Sequence, residues 1–219
     1  MNSLNQYKMQ IKSLCFLILI PLIDITYFVI NNSKNGVHNL STAFDYGLPF
    51  LKVFVIPYVI WYPFIFVGFI YICFKSREVY FKTLISFLIS LICCYLIFYF
   101  FQTTTPRPEL IGNDMLTSLI RIIYKADQPF NCFPSIHVLA CYLIMRGMDY
   151  AVKGVNKMKT VSGIISILII LSTMFIKQHV LMDVISGIFL GEIVFSLVKN
   201  INLDRLIYVL SGKDSSEFV

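Results

Sequence analysis

Charged side chains are scarce in this chain. Asp, Glu, Lys and Arg make up 14% of its 219 residues, whereas hydrophobic residues make up 58% and mean hydropathy is +0.77. Soluble domains carry about 25% charged and roughly 45–50% apolar residues, so this deficit excludes an ordinary soluble domain. A bilayer span takes about 20 apolar residues, and six spans would use more than half of the chain. The composition predicts a single transmembrane domain over residues 1–219.

The chain also lacks a clustered basic surface and a disulfide framework. Its formal charge is +6, but it has no Lys/Arg block and no basic stretch interleaved with aromatics, so no nucleic-acid partner is expected. Five of the six cysteines lie in apolar runs, where cysteine behaves as a small hydrophobe. Cys132 alone lies in a polar stretch, without an evident partner.

Long apolar runs are the dominant feature of the sequence. They predict an all-α, polytopic membrane protein with a six-transmembrane-helix bundle. The fourth run is the shortest and weakest, and the first is interpreted as an uncleaved span because Asp24 interrupts it and no small-residue cleavage site follows. The six predicted segments are 13–30, 51–74, 83–101, 135–148, 161–176 and 181–198.

Positive charge is distributed unevenly between the loops that join these segments. With the N-terminus in the cytoplasm, 12 of the 18 Lys and Arg residues fall on the cytoplasmic side and 6 on the other. The positive-inside rule assigns the richer side to the cytoplasm. We therefore expect a multi-pass protein with both termini cytoplasmic. Loop 102–134 and the junction at 177–180 then lie together on the extracytoplasmic side.

Histidine is rare, and two of the three histidines lie at segment ends. His137 opens the fourth segment, and His179 stands between the fifth and sixth. Ionisable residues at membrane depth are costly and usually mark function. His179 and Asp183 are four residues apart, so on a helix they share a face. A carboxylate bonded to one ring nitrogen leaves the other free, as in a catalytic base or nucleophile, although a plain polar pair at a helix end has the same spacing.

Three further charged residues stand out by position. Arg107 lies between Pro106 and Pro108, which fix the local backbone at the mouth of the third segment. Its planar guanidinium suits phosphate oxygens, although arginines at this depth also extend to lipid headgroups. Asp24 and Glu192 lie inside predicted segments, where we expect them to bond neighbouring helices.

Taken in chain order, Arg107, the segment that ends in His137 and the segment that contains His179 and Asp183 resemble the three motifs of the type 2 phosphatidic acid phosphatase (PAP2) superfamily. This superfamily includes lipid phosphotransferases such as inositol phosphorylceramide and sphingomyelin synthases. The resemblance covers a core of about residues 51–198. Arg107-Pro108 resembles the end of the first family motif. Pro134-Ser135-Ile136-His137 resembles the second, and Ser172 through His179 to Asp183 resembles the third.

The match departs from the family pattern at three positions. Phe100 stands where the first motif usually has lysine, Ile136 where the second has glycine, and Thr173 where the third has arginine. Two expected phosphate-binding cations are therefore missing. Lys177 follows Thr173 by four residues, so on a helix it lies on the same face and is the candidate replacement. The alternative is an interfacial lysine with no catalytic role.

The resemblance implies roles for these residues. His179 would attack phosphorus, oriented by Asp183, and His137 would protonate the leaving oxygen. Arg107, Ser135 and Lys177 would hold phosphate oxygens. The implied enzyme is a lipid phosphate phosphatase that needs no metal and no other cofactor and acts on a phospholipid or isoprenoid phosphate within the lipid bilayer. Two alternatives stay open, a lipid phosphotransferase and a non-catalytic protein of the same fold; the sequence leaves the oligomeric state undetermined.

Overall fold

The computed structural model of the chain describes residues 3–31, 36–204 and 207, most of which are helical. Two-residue strands β1 (His38–Asn39) and β2 (Thr103–Thr104) pair in parallel. The α-helices of the described part are, in chain order, α1 (Ser3–Leu14), α2 (Leu19–Ile30), α3 (Ala43–Gly47), α4 (Val55–Lys75), α5 (Arg77–Phe100), α6 (Met115–Ala126), α7 (Ile136–Ala151), α8 (Lys157–Phe175) and α9 (Leu181–Val198).

Five helical stretches are long and apolar enough to cross a membrane. Many of their outward side chains are large and apolar; Phe189 and Leu197, for example, are 67% and 68% exposed. Such a continuous apolar exterior suits lipid and not water. The chain is therefore an integral membrane protein built mainly of helices. The five stretches are Tyr7–Tyr27, Lys52–Lys75, Arg77–Phe100, Lys157–Phe175 and Leu181–Val198.

The fourth predicted segment corresponds to α7, which has 16 residues. At about 1.5 Å per residue it covers roughly 24 Å, short of the ~30 Å hydrocarbon core. α7 packs against α4, α5, α8 and α9, and Leu139, Leu143 and Ile144 on it are fully buried. Because α7 packs against four other helices and many of its side chains are buried, its sequence carries less of a lipid-facing pattern. The count of six spans stays a prediction.

Close packing of α9 on α7 depends on glycine. A Cβ on Gly187 would lie 2.8 Å from the carbonyl oxygen of Ser135, so only glycine allows this approach. At the same crossing, the N–H of Ser135 donates to the carbonyl of Asp183 at 3.1 Å. The first turns of α7 and α9 are thereby held side by side.

The loops contain regular elements that the apolar pattern did not predict. Asp114 caps α6 by accepting from the N–H of Thr117, and the buried Ile120 anchors α6 on Val55, Tyr58 and the end of α8. The paired strands join the loop after α2 to the loop after α5. These elements cover one end of the bundle and fix the loops that carry the polar residues.

Candidate active site

The polar residues singled out from sequence meet at one end of the bundle. The loop after α5, the start of α7 and the turn between α8 and α9 all lie there. The ring centroids of His137 and His179 are 5.7 Å apart. Arg107 and Lys177 line a cavity together with His179. Arg107 and His179, which are 72 positions apart in the chain, are thus brought into one site.

His179 lies in the turn before α9, and Asp183 lies in its first helical turn. Nδ1 of His179 is 3.2 Å from Oδ2 of Asp183, and the same oxygen accepts from the N–H of Val180 at 2.9 Å. Asp183 is fully buried. The pair forms across the start of α9 and not along a helical face, because the helix begins only at Leu181. With Nδ1 bonded to the carboxylate, Nε2 of His179 is left for chemistry.

Backbone hydrogen bonds fix the turn that carries His179. The carbonyl of Thr173 accepts from the N–H groups of Gln178 and His179, at 2.9 and 3.0 Å. Lys177 has a φ of 55°, in the left-handed region that commonly ends helices. On the other side, the N–H of Leu181 donates to Oδ1 of Asp45 at 2.7 Å. The position of the histidine is therefore set by α8, α9 and α3 together.

His137 lies in the first turn of α7 between aromatic rings. Its ring is stacked on Tyr58 at a centroid distance of 4.9 Å and lies 4.4 Å from the ring of Trp61. The indole N–H of Trp61 donates to the carbonyl of His137 at 3.2 Å. Nε2 of His137 is buried and has no hydrogen-bond partner among the described residues. The imidazole is thus fixed in orientation with one nitrogen uncommitted.

The guanidinium of Arg107 is held by contacts within the protein. Its guanidinium lies 4.3 Å from the ring centroid of Tyr124 and donates to the carbonyls of Tyr124 and Asp127 at 3.0 and 2.8 Å. A third bond goes to Oε1 of Gln178. Arginine has five N–H donors, so two remain. Arg107 is a rigid cation with spare donors beside His179.

Lys177 reaches the site by a different route from the one the sequence suggested. α8 ends at Phe175, so the expectation that Lys177 shares a helical face with Thr173 is wrong. Nζ instead donates to the carbonyls of Asp45 and Leu48 at 2.8 and 2.7 Å. An ammonium has three donors, so one is left for the cavity that Lys177 lines. Burial is the main cause that lowers the pKa of Lys177.

Three other motif positions contribute differently. Ser135 is fully buried, and its Oγ accepts from the N–H of Val138 at the start of α7, so its side chain acts as a helix cap here. Thr173 is also fully buried, and an arginine there would have to displace its neighbours. Phe100 is 79% exposed at the end of α5 and lines neither of the cavities at the site. A phosphate-binding role for Ser135 stays a prediction.

Two cavities meet at Arg107 and His179. The outer cavity, of about 360 Å³, is also lined by Asp45, Lys177 and Pro108. The inner cavity, of about 230 Å³, lies towards α2 and α4, and His137 is part of its wall. His179 and Arg107 therefore line both cavities, His137 lines the inner one and Lys177 lines the outer one.

Reasoning from sequence assigned no role in the site to three of its residues. Gln178 binds Arg107, Asp127 lines the inner cavity, and Asp45 fixes both Lys177 and Leu181. Burial raises the pKa of the Asp127 carboxyl, against the effects of the Tyr27 hydroxyl and the nearby Arg107 charge. Only the position of Gln178 beside His179 in the third motif was a local signal.

One group of side chains has ligand atoms suited to a metal. The ligand atoms of Cys132, His179 and Asp183 lie within 4.8 Å of one another. Thiolate, imidazole and carboxylate together suit zinc. However, burial raises the pKa of the Cys132 thiol, so a metal would have to displace its proton, and the other two residues form the histidine–carboxylate pair. We assign no metal here, and metal independence stays a prediction.

These features define a helical membrane protein with a histidine–carboxylate pair beside a fixed guanidinium. The family profile of the PAP2 superfamily matches residues 48–197, which include all three motifs. The chain therefore belongs to the PAP2 superfamily. No curated protein and no solved structure matches it.

Proposed function

We propose that the protein is a metal-independent lipid phosphate phosphatase that acts through a phosphohistidine. The observation that carries this proposal is the His179–Asp183 pair, 3.2 Å apart, at the meeting point of two cavities beside Arg107 and Lys177. The superfamily comprises phosphatases and phosphotransferases, and the residues present supply a nucleophile, an orienting carboxylate, a second imidazole and two cations.

The proposed reaction proceeds in two steps. Nε2 of His179 attacks phosphorus, and a P–N bond forms as the bond from phosphorus to the lipid oxygen breaks. His137 donates a proton to that oxygen. A water molecule then gives its proton to His137 and attacks phosphorus, which breaks the P–N bond and releases phosphate. Asp183 stabilises the charge that develops on His179, and the spare donors of Arg107 and Lys177 stabilise the phosphoryl oxygens.

The position of the site at one end of the helical bundle supports a lipid substrate. A lipid can keep its tails in hydrocarbon while its phosphate enters the end of the bundle. Phosphatidic acid, phosphatidylglycerol phosphate and polyprenyl pyrophosphate all present such a group. We place the phosphate in the outer cavity, because both Arg107 and Lys177 line it, whereas Lys177 does not line the inner one.

Transfer to an alcohol is the second candidate function. The inner cavity supports it, since His137 and His179 both line this space and an alcohol bound there would lie next to the phosphohistidine. Hydrolysis and transfer share the first step and differ only in the group that attacks the phosphoenzyme.

Phosphate release from a panel of these lipids tests the proposal. The purified protein, in detergent with EDTA, should release phosphate from at least one of them and form an acid-labile phosphoenzyme. Added alcohols divert phosphate into phosphorylated alcohol if the protein is a transferase. Activity that EDTA abolishes would contradict metal independence. No turnover and no phosphoenzyme with any lipid would favour the non-catalytic alternative.

We propose further that the site faces away from the cytoplasm, because 12 of the 18 Lys and Arg residues are assigned to the opposite side. In a cysteine-free background, Glu109→Cys in the exposed loop after α5 should react with an impermeant thiol reagent in intact cells. Val155→Cys, fully exposed in the loop between α7 and α8, should react only after permeabilisation. The reverse pattern would invert the topology.

The proposed role of Lys177 predicts a kinetic loss. Lys177→Met keeps the length of the side chain and removes the charge, so we expect kcat/KM to fall by an equivalent of about 1–3 kcal/mol. Lys177→Arg should retain much of the activity. Lys52→Met is the matched control, because Lys52 lies at the same end of the bundle, pairs with Asp114 and lines neither cavity. A silent Lys177→Met, or a loss explained by a lower Tm alone, would remove Lys177 from the site.

A further inference from the structure

Helix α6 lies at the level where two of the five apolar stretches end. Asp114, which caps its N-terminus, is 3.0 Å from Nζ of Lys52, the first residue of the second stretch. In the last turns of α6, the hydroxyl of Tyr124 donates at 2.6 Å to the carbonyl of Ile176, one residue beyond the end of the fourth stretch. Both ends of α6 thus contact the ends of membrane-spanning stretches. The helix therefore lies along the boundary between hydrocarbon and headgroups.

The exposed side of α6 has an apolar stripe beside a basic one. Met115, Leu119 and Ile122 follow the i, i+4, i+7 spacing of one helical face, and Met115 and Ile122 are 85% and 64% exposed. Arg121 and Lys125 lie on the adjacent face and are exposed as well. Among the described residues, neither of these two cations is paired with a carboxylate. This division is typical of a helix in a membrane interface, with its apolar stripe towards acyl chains and its cations towards headgroups.

The C-terminal end of α6 also holds the arginine of the candidate active site. The guanidinium of Arg107 donates to the carbonyls of Tyr124 and Asp127 at 3.0 and 2.8 Å and lies 4.3 Å from the Tyr124 ring centroid. Carbonyls at the end of a helix carry partial negative charge, which suits a cation. The depth of α6 relative to the headgroups therefore sets the depth of Arg107.

We propose that α6 docks on the membrane surface and binds anionic lipid headgroups through Arg121 and Lys125, and that this contact fixes the depth of Arg107. The lipid contact stands on the geometry of α6 alone. Its effect on catalysis rests on the proposed function, in which Arg107 holds the phosphate.

Two observations identify a lipid surface as the partner of this face. The apolar stripe continues the lipid-facing exterior of the bundle, because α6 packs against the start of the second stretch, where Val53 and Ile56 are exposed. The charge of Arg121 and Lys125 is complementary to anionic headgroups. A symmetric contact between two copies of the chain would instead bring the same cations close together.

Quenching by brominated lipids tests the contact directly. In a cysteine-free background, Ile122→Cys is labelled with bimane and the protein is reconstituted in nanodiscs. Phosphatidylcholine that is brominated near the top of its acyl chains should quench this label. The same label on Glu109→Cys, in the exposed loop after α5, is the control and should be quenched much less. Equal quenching at the two positions would overturn the proposal.

The headgroup preference tests the role of the two cations. Brominated phosphatidylglycerol should bind next to the label at position 122 about fivefold more tightly than brominated phosphatidylcholine. Arg121→Gln combined with Lys125→Gln should abolish this preference. Lys153→Gln combined with Lys157→Gln is the matched control, because it removes the same charge from exposed positions between α7 and α8 and should keep the preference. An unchanged preference in the Arg121 and Lys125 variant would reject binding of anionic headgroups by these cations.

A second copy of the chain is the competing occupant of this face. Oxidation of the unlabelled Ile122→Cys protein should give no cross-linked dimer in nanodiscs that hold two chains. An efficient cross-link, together with a label that brominated lipid does not quench, would make the face an interface between copies and overturn the lipid contact.

A kinetic comparison tests the effect on Arg107. In vesicles that contain phosphatidylglycerol, Ile122→Ser should raise KM for long-chain phosphatidic acid about tenfold and change kcat less, because phosphate and guanidinium no longer lie at the same depth. KM for a water-soluble short-chain phosphatidic acid should rise less, since its depth is not fixed, and Ile122→Leu should keep the KM of the wild type. An equal loss with both substrates would show that α6 acts through stability and not through depth.

The two sets of measurements separate the proposals. Quenching at position 122 without any turnover by the wild type would reject the phosphatase and keep the membrane contact of α6. Turnover without quenching would reject the contact and keep the phosphatase.

Discussion

Replacement of His179 by alanine is expected to abolish turnover and the acid-labile phosphoenzyme together. The substitution removes the atom proposed to form the P–N bond, whereas Asp183, Arg107 and His137 are retained. We expect kcat to fall by more than about 1000-fold, the scale seen when a covalent nucleophile is lost. Release of labelled phosphate and acid-quench trapping of the phosphoenzyme measure the two effects separately.

His38→Ala provides the matched control. His38 is exposed in β1 and stacks on Phe101, 4.6 Å between ring centroids, so its loss removes an imidazole outside both cavities. It should retain activity close to that of the wild type. A purified, folded His179→Ala protein that still forms phosphoenzyme would reject the nucleophile and leave His137 as the imidazole to test.

The histidine–carboxylate pair was predictable because the information is local. His179 and Asp183 are only four residues apart, and they stay within reach whether the helix starts before them or between them. His137 joins them because the first turns of α7 and α9 lie side by side. That proximity follows from the order of the motifs and from the glycine at position 187, which permits contact with Ser135.

The placement of Lys177 was not predictable in the same way. Periodicity indicates which face of a helix is apolar but not where the helix ends. The usual stop signal is a glycine at the left-handed position, and here that position holds Lys177 itself. The lysine therefore leaves the helix and turns towards the carbonyls of Asp45 and Leu48, over 100 residues earlier in the chain.

The inner cavity lay beyond sequence reasoning altogether. Asp24 was expected to bond a neighbouring helix, and Tyr95 on α5 is that partner. The partner of Asp127 is Tyr27, 100 positions away, and no spacing rule connects the two. Likewise α7 was recognised only as a weak segment, because a helix that packs against four others needs no continuous lipid-facing pattern. Long-range packing decided each of these features.

His137→Phe should separate the general acid from the nucleophile. Phenylalanine keeps an aromatic ring against Tyr58 and Trp61 but cannot carry a proton. With a lipid phosphate, whose alkoxide leaves poorly unless it is protonated, we expect phosphoenzyme formation to slow by roughly 100- to 10,000-fold. With p-nitrophenyl phosphate, whose leaving group is a weak base, the same step should slow far less. Rapid-quench measurement of phosphoenzyme with both substrates provides the comparison.

The contrast between the two histidines makes this test decisive. The His179→Ala protein should form no phosphoenzyme from either ester, because a better leaving group does not compensate for a missing nucleophile. The His137→Phe protein should form phosphoenzyme slowly only from the lipid phosphate, whose leaving oxygen must be protonated. Breakdown of the phosphoenzyme should remain slow in His137→Phe with either ester, since the second step needs the same imidazole to take a proton from water. An equal loss in formation with both esters would show that His137 supports the site through packing against Tyr58 and Trp61 and does not deliver the proton.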